Sequence, residues 1–182
     1  MTSNERVAIL GAGPIGLECA LYASRRGYEV SIYEKDAPGA SIARWSHVEL
    51  FSPWRMNRSR WGEEALREMD VELEPGDEYP TGREYLDRYL RPLAEYPAVS
   101  QALHVNTEVL DVARADALKG QLIGDPARAE EAFLLRVRND RGERYEEADL
   151  VIDATGVYDQ PRSLGPGGLP ALLARRGEPL LP

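Results

Sequence analysis

The 182-residue chain has one cysteine, Cys19, so neither an intrachain disulfide nor a CxxC redox pair can form within it. Its two histidines, His47 and His104, are far apart, and no cluster of His, Cys, Asp and Glu has the spacing of metal ligands. Basic excess is missing too: the net charge of −9 argues against a phosphate-backbone partner. No apolar run approaches the ~18 residues of a membrane span. The polar start Met1-Thr-Ser-Asn-Glu-Arg6 runs straight into a β-forming stretch, leaving no room for a signal peptide. These absences predict a cytoplasmic protein with no nucleic-acid and no membrane partner. No residues stand at the spacing of a catalytic dyad or triad, so no acid, base or nucleophile is assigned.

What is present is concentrated near the start. The composition, 43% hydrophobic and 29% charged, is that of a globular protein, and the length suits one domain with a core. Val7-Ala-Ile-Leu10 is an apolar β-forming run, Gly11-Ala-Gly13-Pro14-Ile15-Gly16 a glycine turn, and Leu17-Glu-Cys-Ala20 the opening of a helix. A second β-forming run, Val30-Ser-Ile-Tyr33, ends at Glu34, 23 positions after Gly11. In a dinucleotide site Gly11 permits the tight turn, Gly13 leaves room for a pyrophosphate, and Gly16 lets the helix approach the sheet. The helix start offers unpaired N–H groups to the phosphates, and Pro14 suits it because its missing N–H would not have been used. An acid roughly 20 residues after the turn accepts hydrogen bonds from a ribose and repels a 2′-phosphate, which favours FAD or NAD over NADP.

Along the chain, the first helix is expected over Pro14–Arg26 with Gly27 as its stop, and the second strand over Tyr28–Glu34. From Arg44 to Trp61 the sequence holds four arginines, one acid and all three tryptophans. Guanidinium groups beside indoles suit a pocket for an aromatic ring bearing carbonyls or phosphates; the alternative is a packed loop whose aromatics close one end of the core. A short helix is expected over Glu63–Met69. Thr81 with Glu84 forms a capping box for a helix with Tyr85, Leu86, Tyr89, Leu90 and Leu93 on its apolar face, and Pro92 marks a kink or an early end. Leu103–Ala113 is expected as one strand passing from the sheet into another ribbon, with His104 at its surface, and Arg114–Glu131 as a loop. Ala132–Arg138 and Glu143–Glu147 form a hairpin joined by the four residues Asn139–Gly142. Asp149–Asp153 reads as a buried strand ending in the small-residue turn Ala154-Thr155-Gly156, and Cys19 as a small core residue.

Together these predict an α/β fold: one Rossmann-like FAD/NAD(P)-binding domain over 1–182, with a parallel sheet and helices, a small antiparallel β-meander at about 108–148 and a tail over 171–182. The turn Gly11–Gly16 with Glu34-Lys35, the segment containing Leu50-Phe-Ser-Pro53, Thr107-Glu-Val109, and Asp149-Leu-Val-Ile-Asp-Ala-Thr-Gly156 resemble the two-dinucleotide-domain flavoproteins, most closely flavin-containing monooxygenase-like FAD-dependent oxidoreductases. The resemblance covers nearly all of the chain. It implies that Gly11, Gly13, Pro14, Ile15 and Gly16 cradle the FAD pyrophosphate, that Glu34 binds the adenosine ribose and that Lys35 lies beside the adenine. It further implies that Arg44 and Trp45 lie near the next FAD contacts, that the backbone of Val109 meets the adenine edge, and that Ala154, Thr155 and Gly156 pass near the FAD.

Departures are as informative. The second glycine-rich motif for NAD(P)H and the late Gly-Asp motif of such enzymes do not occur before Pro182, and Ala40 stands where a second glycine is usual. The resemblance therefore implies the FAD-binding portion of an oxidoreductase or monooxygenase. Electrons would pass from a nicotinamide cofactor, NAD(P)H, through FAD to oxygen or a small-molecule substrate, with a homodimer or a separate nucleotide-binding domain as partner. The alternative is a non-catalytic FAD/NAD-binding module or sensor. A small NAD-dependent dehydrogenase is disfavoured because no Tyr-x-x-x-Lys pair follows the sheet. The single cysteine sets aside the disulfide-reductase branch.

Overall fold

The structure is a computed structural model that describes residues 5–158 together with 163, 165, 167 and 169. In chain order the elements are β1 (Arg6–Leu10), α1 (Pro14–Arg25), β2 (Glu29–Tyr33), α2 (Ala40–Ala43), α3 (Trp54–Asn57), α4 (Arg60–Glu68) and α5 (Gly82–Tyr85). A π-helical turn (Leu86–Leu90), α6 (Arg91–Glu95), α7 (Pro97–Ala102), β3 (Leu103–His104) and β4 (Glu108–Arg114) follow. The described part ends with α8 (Ala127–Glu130), β5 (Phe133–Asn139), β6 (Gly142–Ala148) and β7 (Leu150–Asp153).

Four strands form a parallel sheet in the order β3-β2-β1-β7, and β4-β5-β6 form a separate antiparallel sheet, as the α/β reading with a meander requires. β1 lies between β2 and β7 and is buried on both faces, the usual state of an inner parallel strand. Its alternate residues serve different cores. Val7 and Ile9 pack with Leu17 and Leu21 of α1 and with Tyr89, Leu90 and Leu93, whereas Ala8 and Leu10 face Leu135, Val137 and Ala148 of the meander. At its start, Arg6 donates to Asp149 through its N–H and its guanidinium, tying β1 to the entry of β7.

Several sequence expectations need correction. The stretch Leu103–Ala113 is two strands: Asn106, at φ 50, turns the chain between β3 and β4, a left-handed conformation that Asn tolerates. The meander hairpin is tighter than expected, because Asn139 pairs with Gly142 and only Asp140 and Arg141 connect the strands. β7 is the edge of the described sheet, so it is not buried, and Leu150 is 45% exposed. Helix α4 begins earlier than Glu63, at Arg60, because Ser59 caps it by accepting from the Gly62 N–H. α7 has no counterpart among the expected helices; Pro97 at its first turn is the signal that could have marked it.

The Thr81–Glu84 capping box is present, and the side chains of Tyr85, Leu86, Tyr89, Leu90 and Leu93 are all buried. Pro92 does not end that helix. The preceding π-helical turn widens the backbone ahead of a residue that has no N–H to give. The tail expected over 171–182 lies outside the described residues. No described helix is long and apolar enough to cross a membrane.

Candidate functional site

The glycine turn sits where three segments meet. Gly11, at φ 94, donates its N–H to the carbonyl of Tyr33, and a Cβ built on it would lie 2.9 Å from the Ala154 carbonyl oxygen. Ala154 in turn donates to Leu10 at 2.9 Å, so Gly11 and the Ala154-Thr155-Gly156 turn lie side by side although distant in sequence. Gly39 donates to the Ala12 carbonyl at 3.0 Å and brings the third segment to the same point.

Gly16 and Gly13 differ in a way that bears on ligand binding. A Cβ on Gly16 would sit 1.9 Å from the Gly11 carbonyl oxygen, so this glycine is required by packing of α1 onto the turn. A Cβ on Gly13 would meet nothing within 4 Å, and Gly13 has an ordinary φ of −77. The space over Gly13 is therefore open, beside a helix start that no side chain caps. The first-turn N–H groups and the positive end of the helix dipole at such a start favour an anion. Pro14 is the first residue of α1 and Ile15 is exposed in its first turn.

Glu34 is 8% exposed and has work within the fold. Its Oε2 accepts from the Ala12 N–H at 2.7 Å and its Oε1 from the Asp36 N–H at 2.9 Å. A carboxylate has roughly four lone-pair sites, so both oxygens retain acceptor capacity for ribose hydroxyls. The expected ribose acceptor is thus also the clamp that sets the glycine turn against the end of β2. Lys35 lines an open cleft of about 490 Å³ with Asp36, Asn106, Glu108, Arg138 and Asn139. Val109 follows the cleft-lining Glu108 in β4 and packs against the core beneath the meander, where the register with β5 shifts between Val109 and Asp111.

The remaining expected residues divide. Thr155 donates its hydroxyl at 2.7 Å and its N–H at 3.0 Å to Asp153 Oδ1, and these bonds hold the Asp153 carboxyl below its ordinary value. The Arg44 guanidinium lies 5.7 Å from the ring centre of Tyr158, two residues beyond Gly156, which brings the arginine-rich segment to the Ala-Thr-Gly turn. Trp45 is directed elsewhere, with its ring against Gly82, where a Cβ would come within 2.8 Å. Trp54 is buried in the core beside Tyr85, whereas Phe51 and Trp61 are exposed, so the aromatics of this segment close the core only in part.

Burial, aided by the charge of Glu18, pushes the Cys19 thiol up, consistent with a packing role. No cluster of His, Cys, Asp and Glu among the described residues could hold a metal. Sequence reasoning missed Gly39 and Tyr158 as neighbours of the site. Nothing in local sequence flags Tyr158, whereas Gly39, at φ 71, stands in a loop whose Pro-Gly pair is a visible turn signal.

A parallel sheet whose first turn leaves room for a phosphate at a helix start, with a buried acid closing the next strand, defines a Rossmann-like dinucleotide-binding domain. The chain belongs to the pyridine nucleotide-disulphide oxidoreductase family, whose model matches residues 8–121, more than half of its length.

Its fold is similar to that of the bacillithiol disulfide reductase from Bacillus cereus, with a TM-score of 0.65 and 23% identity over 91% of this chain and 44% of that one. It is also similar to a steroid monooxygenase bound to NADP, with a TM-score of 0.61 and 18% identity over 85% of this chain and 26% of that one. A 45-residue stretch is 54% identical to a thioredoxin reductase of Ureaplasma parvum serovar 3, covering 25% of this chain and 15% of that protein. The chain thus spans less than half the length of these relatives. One cysteine excludes a redox pair within these 182 residues, but it does not set aside the disulfide-reductase branch. The matched family bears that name, and such a reductase shares the fold.

Proposed function

We propose that this chain is the FAD-binding portion of a flavin-dependent oxidoreductase or monooxygenase that works in the cytoplasm with a second nucleotide-binding domain. The observation that carries the reading is the open space over Gly13 at an uncapped helix start, flanked by Glu34 and by the Ala154-Thr155-Gly156 turn. In support, OTEMO, a protein similar in fold, forms a crystalline complex with FAD and NADP.

Residues Gly11, Gly13 and Gly16 shape the backbone for a pyrophosphate, and the first turn of α1 supplies N–H donors to it. Glu34 accepts from the ribose, and the cleft beside Lys35 and the start of β4 takes the adenine end. Bound flavin supplies electron transfer between a nicotinamide and oxygen or a small-molecule substrate. The chain's own contribution is to bind and orient the dinucleotide.

Purification tests this directly. A yellow protein with flavin absorbance, or an apoprotein that takes up FAD, is expected. A colourless protein that binds NAD but not FAD would overturn the proposal. Oxidation of NADPH by this chain alone would show that no second nucleotide-binding domain is needed.

A further inference from the structure

We propose that Glu18, one turn into α1, is a positioning residue that fixes the arginine and tryptophan segment 44–61 against the cofactor-binding helix. The inference rests on the flavin reading above for its consequence, and on the following geometry for its cause. The Glu18 carboxylate accepts from the Ser59 hydroxyl, from the Ser59 N–H at 3.3 Å and from the Tyr89 hydroxyl. Ser59 also donates its N–H to the Tyr89 oxygen at 3.1 Å. Three segments distant in sequence therefore converge on one side chain: α1, the N-cap of α4 and the π-helical turn.

Nothing else fits at this point. A Cβ on Gly62 would lie 1.9 Å from the Tyr89 hydroxyl oxygen and 3.0 Å from Glu18 Oε1, so the network fills the space available. The Ser59 hydroxyl is used in both directions, donating to Glu18 while accepting from the Gly62 N–H at 2.8 Å. Burial, together with the bond to Glu18, pushes the Tyr89 phenol well above its ordinary value, so it remains a donor.

The segment upstream of Ser59 is tied within itself and, by backbone bonds from Leu50, Trp54 and Arg55 to Pro80, Glu78 and Gly76, to the chain ahead of α5. Asn57 donates to the carbonyls of Ser52 and Pro53 at 2.8 and 2.9 Å, and Tyr85 donates to the Asn57 carbonyl at 2.9 Å. Its other end carries Arg44, which reaches Tyr158 beside the Ala-Thr-Gly turn. A second polar link between α1 and this region, Arg25 to Glu64 and Glu68, lies at the far end of the helix and leaves the site side to Glu18. A fully bonded polar network specifies one arrangement where apolar contacts alone would tolerate several.

The test uses the chain with Glu18→Ala, Glu18→Gln, Tyr89→Phe and, as a control outside the site, Arg25→Ala. Amide exchange is measured at residues 52–62 in the apoprotein, and FAD affinity by flavin fluorescence. Glu18→Ala is expected to speed exchange at Ser59 and Gly62 and to weaken FAD binding about tenfold, the scale of one charge-assisted hydrogen bond. Glu18→Gln, which keeps an acceptor oxygen, should recover most of both effects, Tyr89→Phe should show a smaller version, and Arg25→Ala should leave FAD affinity unchanged. If Glu18→Ala does not fold, the glutamine and phenylalanine variants decide by the same two readouts. A lower melting temperature with exchange at 52–62 and FAD affinity both at wild-type values would make Glu18 a stability residue and overturn the proposal. A wild-type chain that takes up no FAD would instead overturn the flavin reading, and unchanged exchange in the apoprotein variants would still overturn the clamp.

Discussion

The two sheets of this protein use their backbones differently. In the parallel sheet β1 is buried on both faces, so its variety lies in the glycine turn at its end, where backbone groups are left for a ligand. In the meander, β5 alternates: Leu135 and Val137 are fully buried against the parallel sheet, whereas Arg136 and Arg138 pair outward with Asp111, Glu143 and Glu108. On the proposed reading the parallel sheet brings backbone to a ligand, while the meander covers one face of that sheet.

The largest test of this contrast is Gly16→Ala. The added methyl would meet the Gly11 carbonyl at 1.9 Å, so α1 must move off the turn. A stability loss of about 3 kcal/mol or more is expected in urea unfolding, together with loss of dinucleotide binding. Leu135→Ala, on the meander side, should cost about 2–5 kcal/mol by the same measurement. Under conditions where the variant is folded, its dinucleotide affinity should be that of the wild type. A large direct loss of affinity would show that the meander shapes the site.

Gly13→Ala sharpens the comparison further, since its methyl meets no protein atom and its backbone is unstrained. Stability should hold or rise by about 0.4–1 kcal/mol, while FAD affinity, read by titration, should fall about tenfold because the methyl occupies the phosphate's space. An unchanged affinity would place the phosphate elsewhere. The smallest effect is expected at the seam between β1 and β7. Arg6 holds the Asp149 carboxyl at about 2 against an ordinary 3.8, so its contribution is complete above the higher value and is lost as pH falls toward the lower. Both side chains are more than a third exposed, and screening limits the effect to about 1 kcal/mol. Asp149→Asn should therefore lower stability slightly at pH 7 and make unfolding less sensitive to pH between about 4 and 2.

Much of the fold was legible because its signals are local. The run Val7–Leu10, the glycines that follow and the acid at Glu34 form one βαβ unit within a short stretch, and the Thr81–Glu84 cap is written in four residues. Errors fell where local signals are ambiguous. A β-forming run could not show that Asn106 would turn left-handed, and the apolar run Leu-Val-Ile before Asp153 could not show that β7 would lie at an edge. Trp45 and Trp54 carry the composition of a binding pocket, yet one packs on Gly82 and the other beside Tyr85.

By itself, the sequence determined that a strand, a glycine turn, a helix and an acid follow one another at dinucleotide-binding spacing, because periodicity and glycine's backbone freedom act over neighbouring residues. Only the tertiary structure decided the partners. Glu34 came to clamp the Ala12 amide, Gly11 came to rest on Ala154, and Glu18 came to gather Ser59 and Tyr89. A hydrogen bond or a close packing contact depends on distance in space, and that distance is set only when the sheet and its helices have come together.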